Sequence, residues 1–525
     1  MRPLIHDLAT AHTPESLVEN LGAVPGVVLL RSSSFDAAQA RYSFVTANPF
    51  LTFRSFGSRC EITHNSPLTT HNQFGNPWHL LDALMARCEL LDEIDSPFPL
   101  GGAFGYWGYD LKNFTEPKLP RRAVNDLELP DCHVGFYDSL VVFDHQLGSV
   151  SVVSTGLDAD GSRSEARAQS QLEFWKRCLH DLENSRKGAK TQSAESLCAF
   201  APLREIASNL TRAEFISAVE RAQCYIRSGD IYQVNLSHRL TAKWNHQVTT
   251  SPSETDSHNE PTLVPSCLGG KTFDGWKFFQ KLSAVSPAPF AAFLDCGDFE
   301  IASSSPEQFL RMSGSHIVTR PIKGTRPRAA NATRDAQLAY ELQTSAKELS
   351  ELVMITDLLR NDLGKICEYG SVQTPDLARL EKFAQVQHLV STIEGRLRKE
   401  VTHFAALAST FPGGSITGAP KFRAMEIIDE LEPISRGPYC GALGYLGFNR
   451  ESQLSIGIRT AICREGLVHF NVGAGIVADS VPAAEYEETL AKARGFLNVL
   501  EINIPTHWSS SSSVIEVGNE SRVSG

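Results

Sequence analysis

With 525 residues, a formal charge of −11 and a pI near 5.8, the chain exceeds the usual size of one core, so two lobes or one composite unit are expected. Hydrophobic residues make up 42% and charged residues 21%, which sets aside disordered and fibrous classes. The acidic balance argues against a nucleic-acid surface, which needs clustered Lys and Arg, but leaves room for a local basic pocket that takes an anionic small molecule. Eleven cysteines with no C-x-x-C pair and no Cys/His run at metal spacing point to reduced thiols. Met1 to Asn20 lacks the basic start and apolar run of a secretory leader, and no stretch approaches the roughly 20 apolar residues that span a bilayer. These features suggest a cytoplasmic protein.

The first region, residues 1–156, reads as strand-rich. Val27 to Leu30, Ser43 to Val45, Leu51 to Phe53 and Ser139 to Phe143 are short β-prone runs broken by Gly, Pro and polar residues. Between them lies a Gly-aromatic segment, Gly101 to Tyr109, whose glycines permit tight approach to large rings. It suits a packed β core or the wall of a small-molecule pocket. Residues 157–208 turn charged and are helical or loop-like, the best linker in the chain.

A new unit begins at residue 209 and runs to 500. Thr211-Arg-Ala-Glu214 fits a capping box, and Phe215, Val219, Ala222 and Ile226 follow at helical spacing before Gly229 stops the run. After it, Ile231 to Ser237 alternates as a strand, which places Gln233, Asn235 and Ser237 on one face. Residues 245–270 are rich in Ser, Thr, Pro, Asn and Asp with no hydrophobic period, and read as a surface insertion. The tail at 501–525, with Ser509 to Ser513 consecutive, is expected to be disordered.

Four segments of this unit are too specific for generic packing. The first carries Ser303-Ser-Ser-Pro-Glu307 and, sixteen residues on, Lys323 within Arg320-Pro-Ile-Lys-Gly-Thr325. The second is the helical run Glu351 to Asp362, E-L-V-M-I-T-D-L-L-R-N-D. The third spans Phe411 to Met425, F-P-G-G-S-I-T-G-A-P-K-F-R-A-M, and the fourth runs from Gly473-Ala-Gly475 to Glu488-Thr-Leu-Ala-Lys492. In this order the segments resemble the chorismate-binding enzyme family, over roughly Leu210 to Leu500. Arg41-Tyr-Ser-Phe44 and Gly101 to Tyr109 resemble, more loosely, the family's amino-terminal region.

The resemblance implies an α+β fold of two packed, mostly antiparallel sheets with helices outside. It also implies that Glu351 and Glu488 hold Mg²⁺ against the substrate's ring carboxylate; a hard cation that keeps several waters needs only one or two protein carboxylates. Gln233, Ser415, Tyr439, Arg459, Gly475 and Lys492 match the family's substrate contacts, and His388 matches an active-site histidine. Arg459 can fork onto a carboxylate as a lysine cannot.

The family's branches differ in nucleophile. Isochorismate and salicylate synthases resemble one another in a Lys where this chain has Gln233, and an amide is no base at neutral pH. Anthranilate synthases typically place Ala where this chain has Lys323. By resemblance, then, the chain aminates chorismate toward p-aminobenzoate and folate: Lys323 adds to carbon 2, Glu307 protonates the departing 4-hydroxyl, and ammonia then attacks carbon 4 and expels the lysine from carbon 2. At an unperturbed pKa near 10.4, roughly 0.04% of a lysine is neutral at pH 7, so the site must lower that value. No glutaminase-like segment is apparent, so a separate glutamine amidotransferase subunit is the expected ammonia source. Alternatives are anthranilate formation, a noncatalytic subunit sensing chorismate or tryptophan, and, ranked last, isochorismate formation. Related amino-terminal regions bind tryptophan; Ser32, Tyr42 and Ser43 mark the corresponding place, although Arg31 stands where the anthranilate enzymes commonly have Glu.

Overall fold

Alternating β-branched and aromatic residues set the period of a half-buried strand, and in a computed structural model of the chain these runs assemble into two large sheets. The structure describes residues 2–32, 41–65, 68–91, 94–180, 206–244, 275–383 and 386–502. The insertion at 245–270 and the Ser-rich tail fall outside the described residues, apart from residues 501 and 502.

One sheet runs in the order Leu4–Leu8, Ser149–Ser154, Ser139–Asp144, Tyr42–Thr46, Val28–Arg31, Phe290–Asp295, Glu300–Ser305, Thr460–Arg464, Leu467–Ile476, Gln233–Lys243 and Ile206–Ser208, with Gly418–Ala419 also paired to Gln233–Lys243. The other runs Ile322–Pro327, Val386–Arg396, His316–Arg320, Gln308–Ser313, Glu451–Ile456, Ala442–Gly447, Gly102–Trp107, Cys132–Tyr137, Leu51–Phe56, Arg59–Asn65 and Leu68–Phe74, with Gln373–Lys382 paired to Val386–Arg396. Neighbouring strands in both sheets are antiparallel, as expected.

The two sequence regions are stitched together in both sheets. Val28–Arg31 pairs with Phe290–Asp295 in one, and Gly102–Trp107 pairs with Ala442–Gly447 in the other. The Gly-aromatic segment is therefore a central strand, buried along its whole length, with Phe104, Tyr106 and Trp107 in the core. Each such ring contributes roughly 1.5–3 kcal/mol by leaving water.

Helices Pro14–Leu21, Glu165–His180, Gly275–Val285 and Pro482–Val499 cover a second apolar layer in which Trp175, Phe278 and Phe496 meet Leu29, Val45 and Phe293. The stretch 157–208, expected to link the regions, thus supplies a docked helix with Trp175 fully buried, and its last residues form the strand Ile206–Ser208. Helix Arg212–Arg227 has both capping-box bonds: Glu214 N–H donates to the Thr211 hydroxyl, and Thr211 N–H donates to the Glu214 carboxylate. No helix among the described residues is long and apolar enough to cross a membrane.

Candidate active site

Lys323 lies on Ile322–Pro327, an edge strand whose register against Val386–Arg396 shifts between Lys323 and Thr325. A bulge of this kind re-aims a side chain. Gly324 sits in it at φ +65°, and a side chain there would strike Leu342 and crowd Glu348. The redirected Lys323 amine donates to the Ser415 carbonyl at 3.4 Å, its one hydrogen bond among the described residues. Burial lowers its pKa, against the opposing pull of Glu351 and Glu307, and Lys492 adds to the lowering.

Glu307 occupies the turn between Glu300–Ser305 and Gln308–Ser313 and is buried. Its carboxylate accepts from the Ser415 hydroxyl and the Ile322 backbone N–H. Burial nonetheless raises its pKa, more than those bonds and the Lys323 charge lower it. Desolvation therefore moves both partners toward their neutral forms, COOH and NH₂.

The acids stand on two helices. Glu351 projects from Ala346–Gly364 and Glu488 from Pro482–Val499. Burial raises the Glu351 pKa; the Lys323 and Lys347 charges oppose this, and the charges of Glu348 and Glu488 add to it. Glu488 is 2.9 Å from Lys492, which also donates to the Gly473 carbonyl at 2.8 Å. Glu348 and Glu485 were missed in the sequence, although each stands three residues before a predicted ligand and so on the same helix face. Glu485 is buried and its pKa is raised, by burial first and also by Glu488.

Among the described residues no three His, Cys, Asp or Glu side chains close a metal cage. An open pair of carboxylates, crowded by further acids, is nevertheless a donor set that fits Mg²⁺, which keeps waters and takes remaining oxygens from substrate.

The remaining groups named in the sequence complete the enclosure. The guanidinium of Arg459, a residue at φ +49°, has no hydrogen-bond or ion-pair partner among the described residues, and burial lowers its pKa. A sheltered, unpaired guanidinium is a carboxylate site. It lies close enough to depress His388, which burial chiefly, and Arg459 secondarily, push down to about 4. His388 is thus a neutral imidazole. Its Nδ1 is 2.9 Å from the Thr325 hydroxyl and 3.4 Å from the Gly324 carbonyl, so the Lys323 strand orients it.

Gln233 is 3% exposed and its side-chain oxygen has no partner. Its amide nitrogen packs 2.6 Å from where a side chain on Gly475 would begin, and the Tyr439 hydroxyl is 2.8 Å from the equivalent point on Gly473. At Gly473 the Leu236 carbonyl, 2.7 Å away, leaves no room for a side chain, whereas at Gly475 only the end of the Gln233 side chain stands in the way. Asn235, named in the sequence only as a facial neighbour, donates to the Ile416 carbonyl at 3.1 Å and leaves its oxygen unpaired.

The structure therefore gathers Lys323, Glu307, Ser415, Glu351, Glu488 and Lys492 through direct bonds and mutual electrostatics, with His388, Arg459, Gln233, Tyr439 and Gly475 around them. Ser32, Tyr42 and Ser43 are elsewhere. Ser32 and Tyr42 line an open pocket of about 400 Å³ between Leu30, Phe44, Pro289–Ala292 and Tyr445. Ser43, between Tyr42 and Phe44 in sequence, points away from this pocket. Strand alternation puts Tyr42 and Phe44 on the pocket face, whereas the Ser43 hydroxyl accepts from Ser32 N–H and bonds His145. Arg31, which also borders the pocket, is ion-paired with Glu15.

Comparison with known proteins agrees with this geometry. The profile described as chorismate binding enzyme matches residues 37–261 and 264–498, which extends the likeness well into the first region. Anthranilate synthase component 1 of Acetivibrio thermocellus is 34% identical over 493 residues, covering 94% of each chain. Aminodeoxychorismate synthase component 1 of Klebsiella aerogenes is 36% identical over 482 residues, 92% of this chain and 95% of that one. The crystal structure of anthranilate synthase component I from Streptococcus pneumoniae TIGR4 superposes with a TM-score of 0.66 at 31% identity, covering 87% of this chain and 92% of that one. The chain belongs to the chorismate-binding enzyme family, among the anthranilate and aminodeoxychorismate synthases.

Proposed function

We propose that the chain converts chorismate and ammonia to 4-amino-4-deoxychorismate, the precursor of p-aminobenzoate and folate. The observation that carries this reading is the Lys323 amine, held beside Glu307 and Ser415 with its pKa lowered.

Neutral Lys323 adds to carbon 2 of chorismate. The ring double bond shifts, the carbon 4–oxygen bond breaks, and protonated Glu307 delivers its proton so that water departs. The new secondary ammonium returns a proton to Glu307. Ammonia then adds at carbon 4, the double bond shifts back, and the carbon 2–nitrogen bond breaks as lysine takes a proton. Two allylic displacements replace one difficult direct exchange. Arg459 fixes a substrate carboxylate, and neutral His388, Gln233 and Tyr439 orient the ring by hydrogen bonding. Glu351 and Glu488 would hold Mg²⁺, which when bound neutralises the ring carboxylate. Ammonia would come from a separate glutamine amidotransferase subunit, with free ammonium as a substitute.

A second reading, anthranilate formation, draws support from the relatives that carry that name. It leaves Lys323 without a covalent task. Purified chain supplied with chorismate, Mg²⁺ and ammonium separates the two. Aminodeoxychorismate, detected as p-aminobenzoate once a lyase is added, is the expected product; fluorescent anthranilate and pyruvate formed without a lyase would decide for the alternative.

A further inference from the structure

Behind the candidate site one buried guanidinium joins elements that are otherwise far apart in sequence. Arg436 is 2% exposed, and its Nε and Nη2 each donate to Glu432 at 2.7 Å. Nη2 also donates to the Asn235 carbonyl at 2.7 Å, and Nη1 to the Ile416 carbonyl at 3.3 Å. Glu432 in turn accepts from the Ser237 N–H at 2.8 Å and from its hydroxyl at 3.1 Å. The strand bearing Gln233, the turn bearing Ser415 and the segment leading to Tyr439 therefore share one anchor. Only the planar fork of an arginine reaches all three.

The seat of that anchor comes from the first region. The Arg436 guanidinium lies 4.6 Å from the centroid of the Tyr109 ring and 5.8 Å from that of Tyr439. Tyr109 N–H donates to the Gly437 carbonyl at 2.7 Å, and Gly437 N–H donates to Asp110 at 3.0 Å, so the residue after Arg436 is pinned to the Gly-aromatic segment from both sides. Tyr109 is 1% exposed, and its hydroxyl has no partner among the described residues. Its ring face, rather than its oxygen, is the part in use.

We propose that Tyr109 and Arg436 are positioning residues for chorismate: the ring of Tyr109 fixes the guanidinium, which sets the spacing of Gln233, Ser415 and Tyr439. The inference rests on the proposed function for the identity of the ligand. It assigns the end of the Gly-aromatic motif a task in the catalytic region, beyond packing.

The test compares the full chain with Tyr109→Phe, Tyr109→Leu, Arg436→Lys and the double variant Tyr109→Leu/Arg436→Lys, measuring chorismate KM, kcat and thermal melting with Mg²⁺ and ammonium. Phe keeps the ring face and is expected to hold KM within about twofold of the parent. Leu is expected to raise KM about fivefold to tenfold with kcat changed less, an effect of the size that a sheltered cation–ring contact supports. The double variant is expected to be no worse than Arg436→Lys alone, because Tyr109 acts through the arginine. Equal KM for Phe and Leu, or additive effects in the double variant, would overturn the inference. Should Tyr109→Leu fail to fold, an unchanged KM in Arg436→Lys does the same. An unsubstituted chain that neither binds nor turns over chorismate would instead overturn the functional reading, and the inference with it.

Discussion

Lys323 and Lys421 stand on either side of the turn 411–416, and burial lowers the pKa of both. Their surroundings differ. Lys421 is ion-paired with Asp362 at 2.5 Å and donates to the carbonyls of Thr410 and Pro412 at 2.9 Å each. Lys323 has a single carbonyl acceptor among the described residues, at 3.4 Å, and one of the two carboxyls that act most on it, Glu307, is itself pushed toward the neutral form. Depth of burial does not make a lysine nucleophilic; incomplete compensation does. Lys421 is a charged cross-link that ties the Ser415 turn to the Glu351 helix, whereas Lys323 is an amine with little reason to stay protonated.

That contrast can be broken at several points. The largest effect is expected at Glu307, the acid that Lys421 lacks: Glu307→Gln should lower kcat by about 10²–10⁴ in steady-state assays with ammonium, the usual worth of a positioned proton donor. A drop under threefold would remove Glu307 from the proton transfer. Next, Lys421→Met should cost about 3–5 kcal/mol in urea unfolding, because Asp362, 3% exposed, keeps only the half-exposed Lys365 for company. Lys323→Met should behave oppositely, with unfolding free energy within about 1 kcal/mol of the parent or above it, since it removes an uncompensated group. Equal losses at the two lysines would erase the distinction.

The pH profile gives the finest cut. Catalysis needs Glu307 protonated and Lys323 neutral. Burial raises the first from 4.5 and lowers the second from 10.5, so both limbs of a bell-shaped kcat profile should lie inside those values. The stability consequences carry opposite signs. Above its folded pKa and below 10.5, neutral Lys323 makes the folded state bind fewer protons than the unfolded, so its contribution rises with pH. Protonated Glu307 makes the folded state bind more protons between 4.5 and its raised value, so its contribution falls as pH climbs through that window. Glu307→Gln should remove that falling part from a urea-stability series across pH; an unchanged series would show that the carboxyl is not shifted.

Much of this was legible in the sequence where the signal is local. The capping box at Thr211 and Glu214, the helix through Glu351 and the strand carrying Gln233 follow from spacing, and the order of four motifs carried the family and its two-sheet fold. What spacing does not carry is pairing at long range. Nothing local brings Gly102–Trp107 beside Ala442–Gly447, or places Tyr109 under Arg436. A motif names a segment, while strand alternation decides which of its residues share a face, Tyr42 and Phe44 on one and Ser43 on the other. Glu348 and Glu485 were legible in principle from helical spacing, whereas the mutual influence of Glu351 and Glu488 depends on two helices meeting. Arg320 and Arg326, which flank Lys323 in sequence, are ion-paired with Glu381 and Glu348.

The most direct measurement is mass spectrometry of the chain quenched during exposure to chorismate and Mg²⁺ without ammonia. The account expects a substrate-derived adduct on the peptide containing Lys323, absent from the Lys421 peptide and discharged when ammonium is added. Bound chorismate with no adduct on Lys323 at any time point would contradict it.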